Sequence, residues 1–215
     1  MARNDRSTPI PTIRTETARP AVTGREWPAI KGYSRPEADI PFHTDLMTKL
    51  ILRSETPADV AAIHAVTEAA FLDAPHTSHN EQFILAALRD AGALTVSLVA
   101  EMEGSVVGNV AVSPVSISDG TSGWFGLGPV SVIPKLQGRG IGSQLIREAL
   151  ARLSDLGASG CVVLGEPSYY KRFGFMNEAA LVLPDVPPEY FMAMSFGQPL
   201  PSGTVTYHQA FSMAE

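Results

Sequence analysis

The residues of this 215-residue chain whose types and spacing point most directly to chemistry are Gln137-Gly138-Arg139-Gly140-Ile141-Gly142. They stand between an apolar run at 130–133 and a helical pattern with apolar residues at 141, 145, 149 and 153. Small residues at the start of a helix leave its first backbone N–H groups open, at the end where the helix dipole is positive. The chemistry is anion binding, of a phosphate or pyrophosphate, and Lys135 and Arg139 add positive charge beside it. The spacing decides against the two commonest nucleotide loops. A dinucleotide loop, G-x-G-x-x-G, needs its third glycine where Ser143 stands and a place early in the domain. A P-loop needs G-x-x-x-x-G-K-[ST], which is absent. A glycine turn without a ligand is the remaining alternative on the loop alone.

Other reactive side chains are few. Cys161 is the sole cysteine and lies in the apolar run Gly-Cys-Val-Val-Leu-Gly, so it reads as a small buried hydrophobe. It leaves no intramolecular disulfide and no cysteine metal site. His76 and His79 are three apart, but no third ligand stands at a familiar spacing, and no metal is expected. The net charge of −6 argues against a nucleic-acid partner. No apolar run approaches the ~20 residues that cross a bilayer. The first residues lack the apolar core of a secretory signal. The expectation is a cytoplasmic protein with no membrane partner.

The elements that must position the loop follow from periodicity. Residues 51–54 read as a short strand. Thr56 is an N-cap, with Pro57 at the first helical position and Asp59 in the first turn. Val60, Ile63, Val66 or Thr67, and Phe71 recur at helical spacing, giving a helix over 57–72. A loop over 73–79 leads to Asn80, cap of a second helix with the stripe Phe83, Ile84, Ala87 and Leu88, closed by Gly92. Strands over 94–102 and 105–117 join at Glu103-Gly104 as an antiparallel hairpin, and Asp119-Gly120 turns into a third over 124–133. Gly126, Gly128 and Pro129 interrupt that strand. Proline donates nothing to a ladder, so a parting from a neighbour is expected near residue 129.

A helix over 140–156 is expected to bury Ile141, Leu145, Ala149 or Leu150, Leu153 and Leu156, ending at Gly157. Residues 160–165 read as a strand buried on both faces. A short helix over 168–173 and a last hairpin from Phe175 to Phe211 complete the order β-α-α-β-β-β-α-β-α-β-β. Residues 1–45 differ. Rich in Thr and Arg, with Pro9, Pro11, Pro20, Pro28, Pro36 and Pro41, they read as an extension, partly disordered or docked, before one domain at 46–215.

The pattern V-x-V-x-P-x-x-Q-G-R-G-I-G-S-x-L over 130–145, followed by Tyr169-Tyr170-Lys171-Arg172-Phe173-Gly174-Phe175, resembles the Gcn5-related N-acetyltransferase (GNAT) superfamily. Leu164-Gly165-Glu166-Pro167-Ser168-Tyr169-Tyr170 is similar to its YhbS-like bacterial branch, and the likeness covers about 50–211. It implies an α/β acyl-CoA N-acyltransferase fold, a mixed, mostly antiparallel sheet with splayed central strands flanked by helices. It implies acetyl-CoA (coenzyme A) as cosubstrate, with the backbone of Gln137, Gly138, Arg139, Gly140, Ile141, Gly142 and Ser143 on the pyrophosphate. Val130, Ser131 and Val132 would pair with the pantetheine arm, and Gly165 would line the facing side. Phe173 is placed with these cofactor residues, its ring also packing with Tyr169.

The resemblance further makes Tyr170 the acid that protonates the leaving thiolate, the alternative being a packing role. A phenol with a pKa near 10 keeps its proton at pH 7. No carboxylate or histidine stands in the strand over 124–133 to act as base. The candidates for a base are His76 and His79, Glu101, and Glu166 beside the cleft, with Glu166 placed beside Tyr170 as a catalytic residue. Each has a plain alternative: the histidines as part of a polar loop with a helix cap, Glu166 as a helix cap, Glu101 as a solvent-facing residue. His76 and His79 are placed on the acceptor side, with Tyr207 and His208 at the entrance. The expected function is direct acetyl transfer to a primary amine, of a small molecule or peptide. The alternative is an acyl-CoA-binding sensor or partner-binding module with little turnover, and a homodimer is one expectation from the family.

Overall fold

The computed structural model describes residues 49–74 and 79–212. The extension expected over 1–45, and His76, lie outside the described residues. The chain opens with β1 (Leu50–Ser54), then a 3-10 turn and α1 (Val60–Phe71), then α2 (Glu81–Asp90). The strands β2 (Val96–Met102), β3 (Ser105–Pro114), β4 (Ser116–Ile117) and β5 (Trp124–Val132) follow. Next come α3 (Ile141–Asp155), β6 (Gly160–Leu164), the short α4 (Pro167–Tyr170), β7 (Leu181–Val182), β8 (Phe191–Ser195) and β9 (Gly203–Thr206). Six strands form one sheet in the order β1-β2-β3-β5-β6-β8, and β4, β9 and β7 form a second.

Every pair in the large sheet is antiparallel except β5 with β6. Successive side chains of a strand face opposite ways, so each strand feeds two layers. Val110 and Val112 of β3 pack with Leu145, Ile146 and Leu153 of α3, whereas Ala111 packs with Ile63 of α1 and Leu85 of α2. Both faces of β3 are therefore covered, and residues Val107 to Ser113 are all buried. Leu145 and Leu153 are fully buried, and truncation of either to alanine costs about 2–5 kcal/mol.

Polar groups also tie the layers. Thr67 of α1 donates from Oγ1 to Asn109 Oδ1 of β3 at 3.1 Å, and Ser131 Oγ of β5 donates to Thr67 Oγ1 at 3.3 Å. At the start of α1, Arg53 forks onto the Asp59 carboxylate at 2.7 and 2.8 Å and also reaches Glu101 at 2.8 Å. The Thr56 N–H and hydroxyl donate to the same Asp59 oxygen.

Four expectations need correction. The last hairpin does not exist: β8 joins the large sheet beside β6, while β9 pairs in parallel with β7. The reason is burial on both faces of β8, with Met192 and Met194 in the main core and Phe191 and Ala193 in the smaller cluster. The strand expected over 105–117 breaks after Pro114, and β4 belongs to the second sheet. On α2, Phe83 is exposed, and Gln82 and Leu85 are buried, because Leu85 faces Ile63 and β3. Leu156 is exposed, since it is the residue that ends α3 before Gly157, φ +74°.

Candidate functional site

The site forms where two parallel strands separate. β5 and β6 pair only at Trp124↔Gly160, Phe125↔Cys161 and Gly126↔Val162. Beyond Gly126 the two strands follow different partners. β5 stays with β3, where Val112 faces Leu127 and Val110 faces Val130, so Gly128 and Pro129 bulge opposite Ala111. β6 stays with β8 as far as Leu164. The expected parting is present, and it begins just after Gly126. Val130, Ser131 and Val132 form one side of the resulting wedge, and the end of β6 with Gly165 forms the other.

The glycine loop closes the wide end of the wedge. Gly138 and Gly140 have φ of +73° and +81°, a region that glycine enters freely. Gly140 is the N-cap of α3, and no side chain caps the helix there. Its first N–H groups are thus left without a side-chain cap. Gln137 Nε2 donates to the Val132 carbonyl at 3.0 Å and holds the loop against the end of β5. Lys135 and Arg139 are exposed, and Ile141 and Ser143 are buried.

The second motif leans on the same helix turn. Tyr170 packs on Gly165, where a β-carbon would stand 2.4 Å from Cε2. Burial pushes the Tyr170 phenol well above its ordinary pKa, and Tyr169 and Cys161 add to the shift. Tyr169, expected only to pack, does meet Phe173 edge-on at 5.6 Å. Its hydroxyl also reaches α3, standing 3.0 Å from where a Gly142 β-carbon would be. Arg172, which the sequence reading passed over, donates from Nη2 to Ser143 Oγ at 2.9 Å and stacks 4.0 Å above the Tyr169 ring. The available signal was a cation three residues after Tyr169, on the same turn.

Phe173 departs from its expected cofactor role. Its ring is fully buried among the core residues, with the Arg147 guanidinium 5.4 Å away, so the core side of the expectation is the one observed. Glu166 caps α4, accepting from Ser168 N at 3.3 Å and Oγ at 3.0 Å. Glu101 is held by Arg53 and does not simply face solvent. His79 has Nδ1 3.1 Å from the Phe71 carbonyl, which joins the end of α1 to the start of α2. His208 accepts the Ala210 N–H at Nδ1. An amide N–H only donates, so that nitrogen's lone pair is engaged. Burial pushes the Cys161 thiol up, as befits an inert core residue.

A cleft of about 350 Å³ lies at the other end of β5 and β6, lined by Trp124, Ser159, Asp119 and Leu200 among others. It is open to solvent and remote from the loop and both tyrosines. Among the described residues no group of His, Cys, Asp or Glu is arranged to hold a metal ion.

Residues 94–177, which span the wedge, the loop and both tyrosines, match the family model described as acetyltransferase (GNAT) domain. The chain is 38% identical over 127 residues to YhbS, an uncharacterized N-acetyltransferase of Escherichia coli (strain K12), covering 59% of this chain and 73% of that protein. Two solved structures are similar over most of their length. A GNAT family acetyltransferase from Brucella melitensis in complex with acetyl-CoA is 49% identical with a TM-score of 0.69, covering 76% of this chain and 99% of that one. YhbS from Escherichia coli in complex with CoA is 33% identical with a TM-score of 0.70, covering 80% and 96%. Fold, site geometry and relatives agree: the chain belongs to the Gcn5-related N-acetyltransferase superfamily, in its YhbS-like branch.

Proposed function

We propose that this protein transfers an acetyl group from acetyl-CoA directly to a primary amine of a small molecule or peptide. The observation that carries the reading is the parting of β5 from β6 beside an uncapped α3. The N–H groups of the glycine loop would bind the pyrophosphate, and the open edge at Val130–Val132 would hydrogen-bond the pantetheine arm as an added strand. The Brucella and Escherichia coli relatives, solved with acetyl-CoA and CoA, support the same ligand. In the reaction the amine nitrogen bonds to the acetyl carbon and the C–S bond breaks. Tyr170 would give its hydroxyl proton to the departing sulfur, and the amine's surplus proton passes to water. The raised phenol pKa suits this role, because the group stays protonated until the thiolate forms.

One observation favours the second reading, an acyl-CoA-binding module with little turnover. The described base candidates are each tied to a neighbour: Glu101 to Arg53 through Oε2, Glu166 to Ser168 through Oε1, and His79 to the Phe71 carbonyl through Nδ1. Release of coenzyme A thiol from acetyl-CoA, measured with a panel of primary amines, separates the two. Amine-dependent release supports transfer. Tight binding with no release above the amine-free rate supports the module, and absence of binding defeats both.

A further inference from the structure

Tyr207 follows β9 and crosses to β5, where its ring lies on Gly126. A β-carbon at Gly126 would stand 2.3 Å from Cε1 and 2.9 Å from Cδ1, so the edge nearer the hydroxyl rests closest to the strand. Gly126 is the last residue of β5 that pairs with β6. The ring therefore sits at the apex of the wedge. It packs with the smaller cluster of Trp124, Val162 and Val205, whereas Tyr170 packs with the main core beneath α3. The two phenols flank the parting from opposite faces of the sheet.

The Tyr207 hydroxyl is buried and has no hydrogen-bond partner. A buried donor left unmade is costly, and a site for a bound polar group explains its retention. Burial raises its pKa first, with Cys161 and Tyr170 adding to the shift, so it is a protonated donor within electrostatic reach of Tyr170. Nearby, Pro129 sits in the bulge and offers no backbone N–H. The edge of β5 three residues beyond the apex therefore has one strand donor fewer than an ordinary sequence would give it. We propose that Tyr207 is a second hydroxyl donor of the acetyl-transfer site, its Oη hydrogen-bonding the acetyl carbonyl oxygen at the parting of β5 and β6. The bond strengthens as that oxygen takes up negative charge, while Tyr170 serves the sulfur.

This inference rests on the acetyl-CoA reading above, and its test needs no acceptor. Acetyl-CoA and CoA are titrated calorimetrically into the full chain and into Tyr207→Phe. The expected result is a wild-type preference for acetyl-CoA over CoA. In Tyr207→Phe acetyl-CoA weakens about fivefold, and CoA stays within twofold. The carbonyl stretch of bound [1-¹³C]acetyl-CoA should lie below its solution value in the wild type and return toward it in Tyr207→Phe. Thermal stability should not fall, because phenylalanine fills the same space and removes an unpaired hydroxyl. An unchanged preference in the variant, or an unshifted stretch in the wild type, overturns the assignment. If the wild type binds neither molecule, the functional reading fails and takes this one with it. If it binds both and the variant changes nothing, this inference alone fails.

Discussion

Arg172 Nη2 donates to Ser143 Oγ at 2.9 Å, fixing a cation from the turn after α4 on the first turn of α3. The guanidinium is also stacked on Tyr169, so its position is set before any ligand arrives. A pre-placed Arg beside a helix N-terminus is suited to a phosphate group. Substitution Arg172→Met should raise the Kd for coenzyme A about tenfold, measured by calorimetry, by removing one charge-assisted contact. The loss should shrink as salt screens the wild-type attraction. Equal affinity of the variant and the wild type at low salt would show that Arg172 serves only the packing of Tyr169.

Tyr170→Phe should lower kcat about 10²-fold with the amine that supports turnover, leaving KM for acetyl-CoA within twofold. The pH profile carries a second expectation. Burial raises the Tyr170 pKa above the ordinary value near 10, so the protonated form persists to higher pH. Wild-type turnover should therefore show no loss from Tyr170 ionisation up to pH 10. An alkaline limb below pH 10 that disappears in Tyr170→Phe would contradict the assignment.

Gly165→Ala places a β-carbon 2.4 Å from Tyr170 Cε2. The glycine has an ordinary φ, so the effect comes from the collision and not from the backbone. Displacing the ring should cost about 1–3 kcal/mol in urea unfolding and should lower turnover together with stability. Stability and turnover both at wild-type levels would mean that the ring has room to move.

The Arg53–Asp59 fork gives a pH-dependent stability. The Arg53 guanidinium holds the Asp59 carboxyl well below the usual carboxylate range. In the unfolded chain the same group titrates near its ordinary value, about 3.9. The folded-state pKa is the lower one, so this stabilisation is complete above about pH 5 and drains away as pH falls through 4 and below. Asp59→Asn should cost about 2 kcal/mol at pH 7. The gap from wild type should narrow at pH 3, as read from urea midpoints; a gap that stays constant with pH would remove the ion pair as its cause.

The legible parts of this protein were those written locally. Thr56-Pro57 before α1, Gly157 after α3, and the Glu103-Gly104 hairpin turn each depend on residues a few positions apart. The last segment was misread because Met192 and Met194 show the alternation of any strand, which does not say which neighbour receives it. Phe83 and Leu85 differ only by two places on α2, and either could supply an apolar stripe. Contact with Ile63, not periodicity, chose Leu85. For the site, Gly126, Gly128 and Pro129 announced the parting, but nothing in their order named β6 as the strand left behind.

The amino-acid order by itself determined the glycine loop, the helix it opens and the paired tyrosine motif. Their backbone torsions and apolar spacing are properties of short stretches, and that pattern also carried the family resemblance. The tertiary structure alone decided which side chains meet there. Arg172 reaches Ser143, and Tyr207 rests on Gly126, because β6 and the second sheet pack beside β5. Such contacts join residues distant in the chain through burial on shared faces. No local signal encodes that choice of partner.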